Sequence, residues 1–451
     1  MATLRRSRPL VPRLLTAAVV LGAACSAGAA PILDPAHLSE RQLANGLHAI
    51  VKQEPGWGLV AVSVYVRSGA LYEPREAPGV AHMMEHLLFR QSAEQGGESL
   101  AARIEGMGAY FNAATNLDFT SVDVVVGSDA FADVLPLLAK TVLEAPIEPA
   151  DLEREKRVVV AELEERGSQV EQRLRDLTWA TAFTTHPYRQ PVAGTPADIE
   201  ALTPEAVQAY YRRLFTPGNM AVIATGEVGA EEAMAQIEAA FGRYAAGGGP
   251  PPAPAPEPPQ TEIRTKTVED AGAGLTLFAY AFHAPGIAKK RDVCAMDLIW
   301  TLLGEGPTSV FGTVLVGERQ LLQGYVLDFT TRRDDGLFVA ICSAEPQKAE
   351  AAQAAALEEI RRLAATPVAD TALARAKKLL RNSYAFTNET YRGQVGGLGF
   401  YEMIDTYTFA IEYLDRVNAI TPADLQEVAR TYLAGDNYSR VVIQRRGGPE
   451  Q

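Results

Sequence analysis

At 451 residues the chain is too long for one ordinary core and has room for two domains. Its 47% apolar and 22% charged content is that of a globular protein, not of a disordered or fibrous one. The net charge of −13, or −17 once the four arginines of residues 1–29 are set aside, argues against nucleic-acid binding and is compatible with basic peptide substrates.

Residues 1–30 read as an export signal. Arg5, Arg6, Arg8 and Arg13 form a basic front, Leu14 to Ala24 a short apolar core, and Ala27-Gly28-Ala29 a small-residue cleavage site. The apolar run is shorter than the roughly 20 residues that span a bilayer. Cys25 is a candidate lipid-modified cysteine, but Gly22 replaces the large aliphatic residue such signals carry, so simple export to the periplasm ranks first. No later segment reads as transmembrane. Of three cysteines, Cys25 leaves with the signal; Cys294 and Cys342 remain, with packing as small apolar residues the default and pairing in an exported chain the alternative.

Asn45-Gly46 is a turn into a strand over Ala49 to Lys52. The β-branched run Leu59 to Val66 is a second strand, broken by Gly69 and the polar stretch from Glu73 to Glu76. His82-Met83-Met84-Glu85-His86 follows. On a helix the four-residue spacing sets both imidazoles on one face, one turn apart, a pair that suits zinc. Glu85 shares that side, so it can take a proton from a metal-activated water without itself being a ligand. Against this, a His-x-x-x-His pair alone is more often structural, and Met83, Met84, Leu87 and Leu88 would make a plain core helix. Ala101 to Met107 reads as a helix, and the stretch from Gly108 to Thr115 enters a strand with Val122 to Val126 as its hairpin partner. Glu155 and Glu162 are seven residues apart, two turns along one helical face.

At these residues the chain resembles the inverted-zincin metallopeptidases of the pitrilysin, insulinase and mitochondrial processing peptidase group, whose motif is His-x-x-Glu-His. Glu162 lies 76 residues after His86, as the third ligand does in that family. The resemblance implies His82, His86 and Glu162 as ligands of one Zn2+, Glu85 as general base, and Glu155 as a support behind the ligands. It also implies that Asn112 and Ala113 lie in an edge strand to which a peptide substrate adds as a further strand. The fold implied is α+β: two similar, duplicated domains, each a mixed and mostly antiparallel sheet with flanking helices, arranged as a clam.

His186 reads as structural, because three ligands are already assigned. Thr203-Pro204 starts a helix, with Thr203 as its cap and Pro204 at its first position, and Ala221 to Thr225 is a buried strand. The run from Gly247 to Pro259 is a linker stiffened by proline. The expected division is a signal at 1–30, a zinc-binding domain at 31–246, a linker at 247–260 and a second domain at 261–451. Thr203-Pro204 and Asn219 recur 218 residues on as Thr421-Pro422 and Asn437, each pair bracketing a helix before a strand. Leu152 to Arg157 recurs as Leu373 to Lys378, where Ala376 replaces Glu155, and Ser383 replaces Glu162. This is a duplication with metal chemistry in the first copy alone.

In the family the second domain type supplies an Arg and, seven residues later, a Tyr that reach the substrate. Here Tyr325 matches the Tyr, but Glu318 stands at the Arg position and Arg319 is displaced by one, about 100° around an α-helix. The resemblance therefore implies a zinc endopeptidase of unfolded peptides, as the zinc-bearing member of a heteromer with a homologous partner subunit, or else a homodimer. The competing class is a catalytically silent peptide-binding or scaffold subunit.

Overall fold

The computed structural model describes residues 32–89 and 100–445. The export signal, with Cys25, lies outside the described residues. Six strands form the first sheet: β1 (Leu38–Gln42), β2 (His48–Gln53), β3 (Leu59–Val66), β4 (Tyr110–Thr115), β5 (Thr120–Gly127) and β6 (Met220–Gly226), in the order β1-β2-β6-β3-β5-β4. Five form the second: β7 (Arg264–Asp270), β8 (Thr276–Ala284), β9 (Gly324–Phe329), β10 (Gly336–Ala344) and β11 (Tyr438–Arg445), in the order β7-β11-β8-β10-β9.

Apart from β1 the two sheets are wired alike. β2 runs parallel to β6, and β6-β3-β5-β4 continues antiparallel; β7 runs parallel to β11, and β11-β8-β10-β9 continues antiparallel. This is the duplication anticipated from the Thr-Pro and Asn repeats. Thr203 caps the helix Pro204–Leu214 through the amide of Ala206, and Thr421 caps Pro422–Tyr432 with Asp424 closing a reciprocal box. β4 and β9 are the corresponding edge strands.

β3 is buried along almost its whole length because both faces are covered. Val60, Val62, Val64 and Val66 join one core, and Ala61 and Tyr65 another. The second of these cores is closed by a helix from the other half of the chain: Tyr391–Ile404 packs on β3 and β6. The exchange is mutual, since the helix Val170–Ala182 packs on β8 and β11 of the second sheet. The close approach of Tyr391–Ile404 depends on Gly399, where an added Cβ would lie 2.1 Å from Cε2 of the Tyr65 ring. Gly399→Ala is therefore expected to destabilise the protein by about 1–3 kcal/mol through overpacking. Thermal denaturation measures it, and an unchanged Tm would mean that the helix shifts freely on the sheet.

The proline-rich run has no helix or strand, but it is tied down. The Glu257 carboxylate accepts the amides of Thr184, Thr185 and His186 and the hydroxyls of both threonines. Partial burial pushes its pKa up, but these hydrogen bonds outweigh that and hold it at about 2. Cys294 and Cys342 are both buried and free. Among the described residues no helix is long and apolar enough to cross a membrane.

Candidate metal centre

The motif helix is Val80–Phe89. Val80, Met83, Met84, Leu87 and Leu88 are buried in the first core, so the apolar residues weighed against the metal reading do line a core. The remaining stripe of His82, Glu85 and His86 is left to face other groups. The helix begins where Glu73 accepts the amides of Gly79 (3.0 Å) and Ala81 (2.9 Å), satisfying two donors of its first turn. Gly79 has φ +80, and a Cβ there would meet the carbonyl oxygen of Ala193 at 2.8 Å.

Burial pushes the Glu73 carboxyl up to about 8, against the pull of those two amides. Its folded pKa is thus raised above the ordinary 4.5. The folded chain then holds this proton where the unfolded chain has lost it. The resulting stabilisation is complete below about pH 4.5 and fades as the pH rises to about 8. Glu73→Gln should flatten the fall of Tm across this window; an unchanged slope would exclude Glu73 as its source.

The helix Pro149–Gly167 crosses the motif helix and brings two glutamates to His86. Buried Glu155 sets Oε2 3.2 Å from Nδ1 of His86, and half-buried Glu162 sets Oε2 3.5 Å from its Nε2. His86 is thus gripped at both ring nitrogens by residues seven apart. Glu162 uses its other oxygen, Oε1, on Arg166 at 2.5 Å. The His82 and His86 rings are 4.8 Å apart between centres, and one ligand atom from each of His82, His86 and Glu162 lies within 4.8 Å of the other two.

This donor set fits zinc. It offers two imidazoles and one carboxylate, the catalytic pattern that leaves a position open. Nδ1 of His82 is buried with no hydrogen-bond partner among the described residues. Burial, then the charge of neighbouring His86, push the His82 pKa down to about 4 despite the pull of Glu162, so at neutral pH the ring is the neutral form that binds metal. Among the described residues it is the one group of this kind. In the second copy Ala376 is buried and Ser383 exposed on the helix Asp370–Thr387, and neither is a ligand type.

Glu85 is half-buried on the same stripe, and Asn112 and Ala113 are half-buried in β4, which runs beside the motif helix with one flank unpaired in the sheet. His186 is buried: Nδ1 accepts the amide of Tyr188 at 3.2 Å, and Nε2 lies 3.2 Å from Asp334. Tyr325 is the second residue of β9, with its hydroxyl 2.9 Å from that of Ser309 and its ring edge-on to Phe311.

The segment before it departs from expectation. Phe311–Glu318 is a π-helix, and the amide of Arg319 donates to the carbonyl of Val314, five residues back, at 2.9 Å. A π turn accommodates an extra residue by widening. The 100° offset of an α-helix therefore does not describe Arg319. That side chain is exposed and pairs with Glu358 at 3.1 Å, and Glu318 is exposed as well. Sequence reading missed Glu73, hidden in a polar stretch taken as a break, and Arg166, whose position four residues after Glu162 was a usable signal.

Two family models match the chain: one described as insulinase, peptidase family M16, over residues 49–196, and one as the peptidase M16 inactive domain, over residues 201–380. A probable mitochondrial-processing peptidase subunit beta of Arabidopsis thaliana is 24% identical, over 87% of this chain and 75% of its own. An uncharacterized zinc protease of Mycobacterium tuberculosis is 25% identical, over 90% of this chain and 92% of its own. Among solved structures, a protease from Helicobacter pylori superposes with a TM-score of 0.85 at 23% identity, covering 90% of this chain and 99% of that one. A peptidase M16 inactive domain from Pseudomonas fluorescens gives 0.81 at 18%, covering 92% and 100%.

Proposed function

The chain belongs to the M16 peptidase family, and from that premise we propose that it is the zinc-bearing subunit of an endopeptidase that cleaves unfolded peptides. The observation that carries this reading is the convergence of His82, His86 and Glu162 beside Glu85 and the open edge of β4. Zinc held by those three side chains supplies the Lewis acidity that polarises a peptide carbonyl and acidifies water.

The chain's own groups do the rest. Glu85 accepts the proton of the attacking water at its free carboxylate and returns it to the leaving amine. Glu155 fixes the His86 ring through Nδ1, and Arg166 holds one oxygen of Glu162 so that the other is directed at His86. Asn112 and Ala113 hold the peptide by main-chain pairing, which makes little demand on its sequence.

The same reading includes a homologous partner. Arg319 is engaged outward with Glu358, Glu318 cannot donate a hydrogen bond, and relatives of the chain are named as beta subunits. The purified chain is therefore expected to carry zinc yet cleave peptides poorly, and to gain activity when a homologous subunit bearing the Arg and Tyr is added. Full activity alone, abolished by Arg319→Ala, would replace the partner by a self-sufficient enzyme or homodimer. Zinc with no turnover under either condition would favour a silent peptide-binding subunit. Residues 1–30 support export to the periplasm, which signal-fusion secretion assays test directly.

A further inference from the structure

We propose that Arg392, contributed by the second half of the chain, selects an acidic side chain on a peptide lying along β4. The proposal rests on the edge-strand reading above. Residues alternate across β4. Phe111 and Ala113 pack against the core that carries the motif helix. Tyr110, Asn112 and Ala114 belong to the opposite face, where Asp123 of β5 is paired with Asn112 and accepts a hydrogen bond from Ser63 at 2.6 Å.

On that side of the sheet the exchanged helix Tyr391–Ile404 packs over β3 and β6, and its first turn reaches the start of β4. Its second residue, Arg392, sets its guanidinium 4.7 Å from the centre of the Tyr110 ring. Both side chains are exposed, Tyr110 at 47%. No carboxylate lies within ion-pairing distance of Arg392 among the described residues. A positive charge therefore stands exposed at the start of the open strand, held over an aromatic face; burial pushes the Asp123 carboxyl up and the charge of Arg392 helps pull it back, but the two make no ion pair.

A strand added to β4 alternates as β4 does. Side chains directly opposite one another across such a pair have Cβ atoms about 4.5–5.5 Å apart on the same face. The peptide residue opposite Tyr110 thus stands beside the ring that Arg392 covers, on the face away from the motif helix. It is three residues along from the one opposite Ala113. An Asp or Glu there meets an unpaired guanidinium, and a Lys meets like charge. Because the chain as a whole is strongly negative, −13, this is a local selection at one position and not a general attraction for acidic peptides.

The test uses the full chain carrying Glu85→Gln, with its partner subunit if one co-purifies, so that peptide is bound and not consumed. Fluorescent peptides of one sequence carry Asp or Lys at successive positions, and binding is read by anisotropy. The Asp peptide is expected to bind about 3- to 20-fold more tightly than the Lys peptide at one position, the range for an exposed ion pair against a like-charge pair. Arg392→Glu should invert that ratio, Arg392→Gln should bring it towards unity, and Arg392→Lys should keep part of it. Each ratio is internal to one variant, so partial misfolding does not alter it. A ratio unchanged in Arg392→Glu overturns the proposal. A scan of backbone N-methyl groups along the peptide separates the two layers. Sensitivity at alternate positions with no Arg392 dependence defeats this inference alone, and no alternation defeats the edge-strand reading together with it.

Discussion

Glu85→Gln is expected to bind zinc as the parent does and to lose about 10²–10⁴-fold in kcat/KM towards peptides. The substitution keeps size and shape and removes only the capacity to accept a proton. Glu85 shares the polar stripe of the motif helix with His82 and His86 but is not in the group whose ligand atoms converge. Coordination should therefore survive while proton transfer does not. Metal content by elemental analysis and peptide turnover are read on the same preparation. Loss of zinc from a normally folded Glu85→Gln protein would make Glu85 a ligand and reassign the base.

Glu162→Ala is expected to release the metal, whereas Glu155→Ala should weaken its binding or the activity by only about 10–100-fold, the usual cost of removing a group that supports a ligand. The two glutamates sit on one helix and both reach His86, but at opposite ring nitrogens. Glu155 is spent on holding the ring. Glu162 has an oxygen at the converging centre, and Arg166 neutralises the other. Removing Glu162 opens the coordination sphere and also strands Arg166 against a cationic site. Chelator competition gives the two affinities. Equal losses would mean that His86 orientation, and not the third carboxylate, limits zinc binding.

The sequence made these residues legible because their geometry is local. Four residues between His82 and His86 and seven between Glu155 and Glu162 are helical periods, and a helix turns period into proximity without help from the rest of the fold. The strands were equally plain where β-branched residues cluster, as over Leu59–Val66. What stayed hidden has no period or composition to mark it. Glu73 caps the motif helix only because burial brings its carboxylate under Gly79 and Ala81. The π-helix at Phe311–Glu318 has no composition that marks it, being set by how one surplus residue is absorbed before β9. Arg392 reaches Tyr110 across 282 residues of sequence, and no periodicity reports that.

The mutual loan of helices between the halves has a consequence for where the molecule can be divided. The proline-rich run is the obvious place to cut, yet the seam between the sheets does not follow it. A fragment ending there keeps Val170–Ala182, whose docking sheet is gone, and lacks Tyr391–Ile404, leaving Ala61, Tyr65 and Ile223 uncovered. Each piece would present a hydrophobic slot shaped for a helix of the other, together with the helix that fills the other's slot. A nick in the strap should then leave a tight complementary pair, while either piece made by itself is an orphan prone to stick to copies of itself. The old duplication has become a handshake, and the chain can no longer be undone at the point where its two ancestors were joined.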